Sequence, residues 1–360
     1  MKKIGIITIK DDDNYGNRLQ NYAVYKILNK YGNTKNIIRT YGGENRTEFR
    51  MMLGRHKRYL IKLVKKLKNK SYVYDRVKNF NKFNKNIIDF KKQISSNLDY
   101  KKLNEKFDYF TTGSDQVWNP LLFKDMYINM LGFTSNKKKI AVAPSISMDK
   151  LSKEQEEMFK ENLKEFDNLS CREEQGSELL RNIIGKEVVT LVDPTLMLSS
   201  EDWDKVSCKP KFHDDNKKYM LLYFLGDLNE EYKNIVNEIK AKNNLEIINI
   251  LDKKSKYYSC GPSEFLYMIK NASFVLTDSF HGSVFSYIYN KPFRILQRQG
   301  DGGYMNSRLI NLMNKLNLDN SIYLKSGDSL DNIMNVNYHK EALVKEQQKF
   351  NDYLERVFNK

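Results

Sequence analysis

The stretch Phe274-Val275-Leu276-Thr277-Asp278-Ser279-Phe280-His281-Gly282-Ser283 decides the fold of this chain. An apolar run stops there at polar residues and a His-Gly pair, and apolar residues resume with helical spacing from Val284. This order predicts a buried parallel strand that leads through a turn into a helix. Open α/β sheets bind ligands at such strand ends, and the helix start directs free NH groups and a positive dipole end at them. We therefore expect an anion site near His281.

The same alternation of strand and helix runs along the whole sequence. Strands are predicted at 4–9, 107–112, 139–143, 187–192, 219–225, 245–251, 274–277 and 293–296. Helices are predicted from Leu19 to about 31, after a capping box at Ser152, and at 229–242, 263–270, 281–290, 306–316 and 338–358. This pattern predicts an α/β protein with two Rossmann-like domains that face a central cleft. We place the N-terminal domain at 1–195, with a basic helical insertion at about 52–100, and the C-terminal domain, with a terminal helix, at 196–360.

The composition is that of a well-solvated globular protein in a reducing compartment. The 360 residues include 40% hydrophobic and 29% charged residues, enough for two cored domains. Cys171, Cys208 and Cys260 lie far apart and lack CxxC spacing, which supports neither a disulfide framework nor a zinc site. The apolar run at 4–9 is too short for a signal peptide, and no segment has the length of a membrane span. A cytoplasmic location is expected.

The formal charge of +16 is partly concentrated in residues 55–70. Eight lysines and arginines there surround Leu60, Val64 and Leu67 on one helical face, the pattern of a basic amphipathic helix at the inner face of a membrane. The alternative is an ordinary solvated helix packed on a core, in a chain that is rich in lysine throughout. Because no nucleic-acid-binding signature accompanies the segment, nucleic acid is not an expected partner.

Three loops follow predicted strands and carry the candidate chemistry. The first contains Asn14, Gly16, Asn17 and Gln20, whose amides can bind sugar hydroxyls and whose glycine admits a ligand close to the backbone. These residues are the candidate acceptor site; the alternative is an Asn/Gly turn that caps a helix. The second loop presents Asp115 as a candidate general base, or as an ordinary turn aspartate.

The third loop contains His281, an imidazole at a predicted helix start that can exchange protons near neutrality, unless it is a structural histidine. The flanking Ser279, Gly282 and Ser283 offer backbone and hydroxyl donors to an anion. Arg172 can contribute a guanidinium fork to the same anion, or can form an ion pair with a neighbouring glutamate. No metal-ligand cluster and no dinucleotide fingerprint is visible, so we predict neither metal nor cofactor.

With these motifs the chain resembles the polysaccharide pyruvyl transferase family. The resemblance rests on their order and spacing over most of the chain: Asn14-Tyr15-Gly16-Asn17, Gly113-Ser114-Asp115-Gln116-Val117-Trp118, Cys171-Arg172-Glu173, Val192-Asp193-Pro194-Thr195 and Asp278-Ser279-Phe280-His281-Gly282. It implies a GT-B-like arrangement of the two domains. It also implies transfer of a pyruvyl group from phosphoenolpyruvate to a sugar of a cell-surface polysaccharide or its precursor, as a ketal. The acceptor would then be a glycan or a lipid-linked glycan.

The resemblance assigns His281 as the active-site histidine and Arg172 as a donor contact. Many members carry an arginine two residues before the histidine, where this chain has Ser279. Arg298, Arg308 or the helix start would supply the missing charge, or the donor would differ. Two alternative functions stay open. One is a glycosyltransferase that uses a nucleotide sugar; the other is a non-catalytic glycan-binding protein, in which Asp115, Arg172 and His281 would lie too far apart to meet one ligand.

Overall fold

Two five-stranded parallel sheets form the framework of the protein. A computed structural model describes residues 1–39, 71–87, 89–94, 97–123, 126–298, 306–325 and 327–359. The basic segment 55–70, with its predicted membrane contact, lies outside the described residues. Among the helices that are described, none combines the length and apolar composition needed to cross a bilayer.

The first sheet comes from the N-terminal part of the chain. Its strands are Lys3–Ile7 (β1), Asn33–Arg39 (β2), Asp89–Ile94 (β3), Tyr109–Asp115 (β4) and Lys138–Pro144 (β5), in the order β3-β2-β1-β4-β5. Two short strands, Leu169–Cys171 (β6) and Val188–Thr190 (β7), continue beside β5 through a bridge between Ile140 and Asn168. Strands β1 and β4 are buried almost along their full length, as expected of parallel strands that are covered on both faces.

The second sheet comes from the C-terminal part. Its strands are Tyr219–Tyr223 (β8), Glu246–Asn249 (β9), Phe274–Thr277 (β10), Phe293–Leu296 (β11) and Tyr323–Leu324 (β12), in the order β12-β11-β10-β8-β9. All four residues of the central strand β10 are buried. The continuous apolar run that predicted this strand therefore fills a position in the middle of the sheet, with apolar neighbours on both faces.

Helices connect and cover the strands. They are Tyr15–Leu28 (α1), Ser71–Asn84 (α2), Asn97–Lys106 (α3), Lys153–Leu163 (α4), Glu174–Ile184 (α5), Ser200–Asp204 (α6), Glu230–Asn243 (α7), Pro262–Asn271 (α8), Phe280–Ile288 (α9), Asn306–Lys315 (α10) and Lys340–Phe358 (α11). The predicted capping box is present at the start of α4. Ser152 Oγ accepts from the Gln155 amide at 3.2 Å, and the Gln155 side chain accepts from the Ser152 amide at 2.9 Å.

The first turn of α1 joins the two halves of the molecule. The ring of Tyr15 stacks between Phe80 of α2 and Phe265 of α8, with centroid distances of 5.3 and 4.5 Å. Its hydroxyl donates to the carbonyl of Cys260 at 2.9 Å. Arg76 of α2 lies over the Tyr15 ring and hydrogen-bonds Asp13 and the Tyr15 hydroxyl. The loop before α1 is thereby held against the C-terminal sheet and its helices.

The terminal helix α11 returns to the first sheet, although the sequence places it at the end of the C-terminal half. Tyr353 Oη donates to the carbonyl of Ala141 in β5 at 2.6 Å, and Phe358 stacks on Tyr31 at 4.7 Å. The predicted α/β class with parallel sheets and a C-terminal helix is confirmed. The domain boundary at residue 195 stays a prediction.

Candidate functional site

The strand-to-helix turn after β10 is built by short contacts among its own residues. Ser279 is the N-cap of α9, and its Oγ accepts from the Gly282 amide at 3.4 Å. Ser283 Oγ donates to the carbonyl of Ser279 at 3.1 Å. A β-carbon on Gly282 would lie 3.1 Å from Cδ1 of Tyr223 and closer still to the Thr277 hydroxyl, so only glycine fits. These three residues shape the turn that presents His281, and their contact with an anion stays a prediction.

The imidazole of His281, which belongs to the second half of the chain, contacts residues of the first half. His281 is 8% exposed, and its Nε2 lies 3.7 Å from Oδ2 of Asp193. The opposite edge of the ring rests on the α-carbon of Gly16 in α1. Nε2 has no hydrogen-bond partner among the described residues. The ring is therefore held at the junction of the two halves with one polar atom uncommitted.

Asp193 joins His281 to Arg172. Its Oδ1 accepts from the Thr195 amide at 3.0 Å and from the Thr195 hydroxyl at 2.7 Å, while Oδ2 accepts from Nη1 of Arg172 at 2.8 Å. Burial would raise the pKa of Asp193, but its interactions with His281 and Arg172 outweigh burial and hold that pKa well below its ordinary value. A buried carboxylate is thus kept ionised between two basic side chains.

Reasoning from the sequence did not identify Asp193 as a site residue. It treated the segment around Asp193 only as a family motif that lies close to the predicted domain boundary. The signal that would have found it is the one used for Asp115. Each is a carboxylate close after a strand of a parallel sheet, and such strand ends collect ligand groups at one edge.

Arg172 is buried and has several acidic neighbours. Its Nε donates to Glu173 at 3.1 Å, its Nη1 lies 4.0 Å from Asp115 Oδ1, and its Cζ lies 4.6 Å from the ring centre of Phe280. Burial would lower the pKa of Arg172, but the carboxylates of Glu173 and Asp193 outweigh it and raise that pKa. The alternative expected from the sequence, an ion pair with a neighbouring glutamate, is therefore present together with the link to Asp193. Nη2 of Arg172 has no hydrogen-bond partner among the described residues.

Asp115 occupies an unusual backbone conformation at the end of β4. Its φ is 59° and its ψ is −166°, a region that costs a non-glycine residue roughly 1–3 kcal/mol. Its carbonyl accepts from the Ser145 amide at 2.8 Å, and its Oδ2 accepts from Nδ2 of Asn17 at 3.1 Å. Since Arg172 lies 4.0 Å from the other carboxylate oxygen, Asp115 belongs to the same network. Asp115 and His281 thus lie on either side of the Arg172–Asp193 pair, Asp115 at 4.0 Å from Arg172 and His281 at 3.7 Å from Asp193.

The four candidate acceptor residues at the start of α1 have different surroundings. Asn14 is the helix cap, accepting from the Asn17 amide at 3.1 Å, which is the alternative expected from the sequence. Asn17 also accepts from the Asp11 amide at 2.8 Å. The close approach that the sequence assigned to a ligand at Gly16 is made by the His281 ring instead. Gln20 is fully buried, and its amide has no partner in the described part of the chain. Acceptor binding by these residues stays a prediction.

A small cavity that is partly open to solvent adjoins this network between β6, β7 and α10. Its basic lining residues are Arg172, Arg308 and Lys315, and its acidic ones are Glu173 and Asp193, so three positive charges face two negative ones. Phe280 and Leu312 contribute apolar surface, while His281 does not line the cavity and contacts it through Asp193, 3.7 Å from its Nε2. An excess of positive charge beside apolar surface suits a small organic anion.

Two of the basic residues of the cavity, Arg308 and Lys315, are held in an environment that disfavours their charge. Burial, together with the nearby charge of Arg172, lowers the pKa of Arg308 to about 10. Burial also lowers the pKa of Lys315, whose Nζ donates to the carbonyls of Arg172 and Leu191 at 3.1 and 3.2 Å. Two buried cations near a third are stabilised when an anion enters.

Arg298 lies elsewhere. Its Nε donates to Asp278 Oδ2 at 3.1 Å, and the same carboxylate accepts from the amides of Leu225 and Gly226 at 2.7 and 2.8 Å. Asp278 therefore ties β10 to the loop after β8. Of the two arginines that the sequence offered as a source of the missing charge, Arg308 lines the cavity with Arg172 and Arg298 does not.

Solved structures share this architecture at low sequence identity. A UDP-N-acetylglucosamine 2-epimerase has 12% identity and a TM-score of 0.50, covering 99% of this chain and 96% of that chain. The UDP-GlcNAc 2-epimerase from Methanocaldococcus jannaschii has 15% identity and a TM-score of 0.49, covering 96% and 92%. A putative UDP-N-acetylglucosamine 2-epimerase from Listeria monocytogenes has 12% identity and a TM-score of 0.49, covering 100% and 91%. No curated protein matches the chain.

Two Rossmann-like halves that meet at their strand ends, with a terminal helix returning to the first half, define a protein of the GT-B-like class. The sequence model of the polysaccharide pyruvyl transferase family matches residues 14–299, a span that contains Gly16, Asp115, Arg172, Asp193 and His281. The chain belongs to the polysaccharide pyruvyl transferase family, which is a family of enzymes.

Proposed function

We propose that the protein transfers a pyruvyl group from phosphoenolpyruvate to a sugar of a cell-surface polysaccharide or its precursor, forming a ketal. The observation that carries this proposal is the series of contacts from His281 through Asp193 to Arg172 and from Arg172 to Asp115, beside a cavity with an excess of positive charge. A small anionic donor needs such a cavity, and its chemistry needs an acid and a base nearby.

Phosphoenolpyruvate carries a carboxylate and a phosphate, and each favours a guanidinium fork. Arg172 supplies the donor Nη2, which has no partner among the described residues, while its Nε and Nη1 already donate to Glu173 and Asp193. Arg308 supplies a second guanidinium group from α10, in place of the arginine that many relatives carry at the position of Ser279. The ring of Phe280, 4.6 Å from Cζ of Arg172, adds apolar surface to the lining.

The reaction needs two bond-forming steps. In the first, a sugar hydroxyl bonds to the central carbon of phosphoenolpyruvate and passes its proton to Asp115, while the methylene carbon takes a proton from His281. In the second, a neighbouring hydroxyl of the same sugar bonds to that carbon and passes its proton to His281, while the carbon–oxygen bond to phosphate breaks and the departing phosphate takes up the proton held by Asp115. Inorganic phosphate leaves with the bonding electrons. Asp193 orients the imidazole, because its carboxylate lies 3.7 Å from Nε2.

The acceptor would approach along the end of β4 and the first turn of α1, where Asn17 donates to Asp115. For a lipid-linked acceptor, the basic segment 55–70 gives the enzyme a reason to sit at the inner face of the membrane. A location in the cytoplasm is part of the same proposal.

The test is incubation of the protein with phosphoenolpyruvate and a panel of envelope glycan precursors. Mass spectrometry should detect an acceptor that gains one pyruvyl group as one equivalent of phosphate is released. Parallel reactions with nucleotide sugars separate the main alternative, since a glycosyltransferase would release nucleotide and leave phosphoenolpyruvate intact. Nucleotide release with no consumption of phosphoenolpyruvate would overturn the proposal.

A further inference from the structure

We infer that Gly16 positions the imidazole of His281 beside Asp193, so that residue 16 acts as a seat for the ring rather than as a sugar contact. The expected effect on activity rests on the proposed function. The expected position and tautomer of the His281 ring do not depend on it.

The contact between Gly16 and His281 leaves no space for a side chain. A β-carbon on Gly16 would lie 2.9 Å from Cβ of His281, and closer still to Cγ and Nδ1. Gly16 lies within α1 and has an ordinary helical backbone, a setting in which glycine is less stable than alanine by roughly 0.5–1 kcal/mol. Backbone conformation therefore gives no reason for glycine here. The close approach of the ring does.

Gly16 cannot easily move away from the ring, because both of its neighbours are anchored. Tyr15 stacks between Phe80 and Phe265 and donates its hydroxyl to the Cys260 carbonyl at 2.9 Å. Asn17 donates to Asp115 at 3.1 Å. The first turn of α1 is thus a fixed surface, and an added methyl group would displace the imidazole rather than the helix.

The other edge of the ring faces Asp193, which Thr195 and Arg172 hold in place. A carboxylate 3.7 Å from Nε2 favours the proton on that nitrogen, as carboxylates do for histidines that they orient. Gly16 and Asp193 both precede residue 195, whereas His281 belongs to the second half. The reactive ring is therefore aligned only when the two halves of the molecule are together.

Gly16→Ala should push the ring away from Asp193. We expect transfer to fall by about 100-fold, the size of effect that an ångström-scale misplacement produces. The loss should appear in kcat, with KM for phosphoenolpyruvate little changed, because Gly16 does not line the cavity. Lys26→Ala, an exposed change on the same helix, serves as the matched control and should leave turnover at the wild-type level.

The decisive measurement is 15N NMR of the histidine rings in the full-length protein. The sequence has 4 histidines, and His281→Ala identifies the signals of residue 281. At alkaline pH the wild-type ring should be protonated on Nε2, and Gly16→Ala should change its ring nitrogen shifts where Lys26→Ala does not. Protonation on Nδ1 in the wild type, or unchanged shifts and turnover in Gly16→Ala, would overturn the inference. If no acceptor is pyruvylated but Gly16→Ala still changes the ring nitrogen shifts of His281, the proposed function fails. The inference that Gly16 positions the ring is then still supported.

Discussion

The carboxylate of Asp193 lies 2.8 Å from the guanidinium of Arg172, and both side chains are buried. Such a pair contributes little net stability compared with apolar residues, but loss of one member leaves the other charge without compensation. Asp193→Asn should therefore lower the free energy of unfolding by about 3–5 kcal/mol, measured by urea titration. Glu187→Gln breaks the exposed pair with Arg356 and is the control, with a change below about 1 kcal/mol. Equal effects of the two substitutions would contradict the buried-pair argument.

The same carboxylate makes stability depend on pH in a defined direction. The pKa of Asp193 is lower in the folded protein than in the unfolded chain, where it is about 3.9. Its stabilising contribution is therefore complete above that value and is lost as the pH falls below about 4. The stability difference between wild type and Asp193→Asn should stay constant above about pH 4 and shrink as the pH falls from there toward the lowered pKa of the folded protein. A difference that stays constant below about pH 4 would show that the Asp193 charge is not its source.

His281→Ala should abolish pyruvyl transfer and leave a folded protein. The ring makes no hydrogen bond through Nε2 to any described residue, so its removal strands no partner except the already paired Asp193. Acid–base assistance typically contributes about 10²–10⁴-fold to a rate, and a loss in this range is expected. Circular dichroism and mass spectrometric turnover are the measurements. His339→Ala, a change at an exposed histidine, is the control. Near-normal turnover by His281→Ala would remove this residue from the mechanism.

Arg308→Met should separate ligand affinity from stability. The buried Arg308 charge is disfavoured, as its lowered pKa of about 10 records, so its removal should raise the thermal midpoint of the ligand-free protein. The same change should raise KM for phosphoenolpyruvate about tenfold to a hundredfold, because hydrogen bonds to a charged group contribute about 1.5–3 kcal/mol.

The comparison variant for Arg308 is Arg356→Met, which removes an arginine at the surface. It should change neither the thermal midpoint nor KM by a comparable amount. If Arg308→Met lowered the midpoint and left KM unchanged, Arg308 would be a structural residue. The second positive charge for the donor would then have to come from another part of the molecule.

Elements that depend on short-range sequence pattern were predicted closely. The observed bounds of Phe274–Thr277 and Phe293–Leu296 equal the predicted ones, and the capping box at Ser152 is present. In contrast, β2 was not predicted. Its residues Asn33–Arg39 are largely polar, and the strand is stabilised by parallel pairing with β1 and β3. Local β-propensity does not include such pairing between distant segments.

The sequence by itself determined which residues stand at the ends of parallel strands, because apolar periodicity and turn residues act between near neighbours. It therefore offered Asp115, Arg172 and His281 individually as candidate site residues. Only the tertiary structure decided that Asp193 lies between Arg172 and His281, that Gly16 faces the ring and that Arg308 shares the cavity with Arg172. These contacts join residues far apart in the chain, such as Asn17 and Asp115, which are 98 positions apart. Their distances follow from how sheets and helices pack, and no local pattern of residues records that packing.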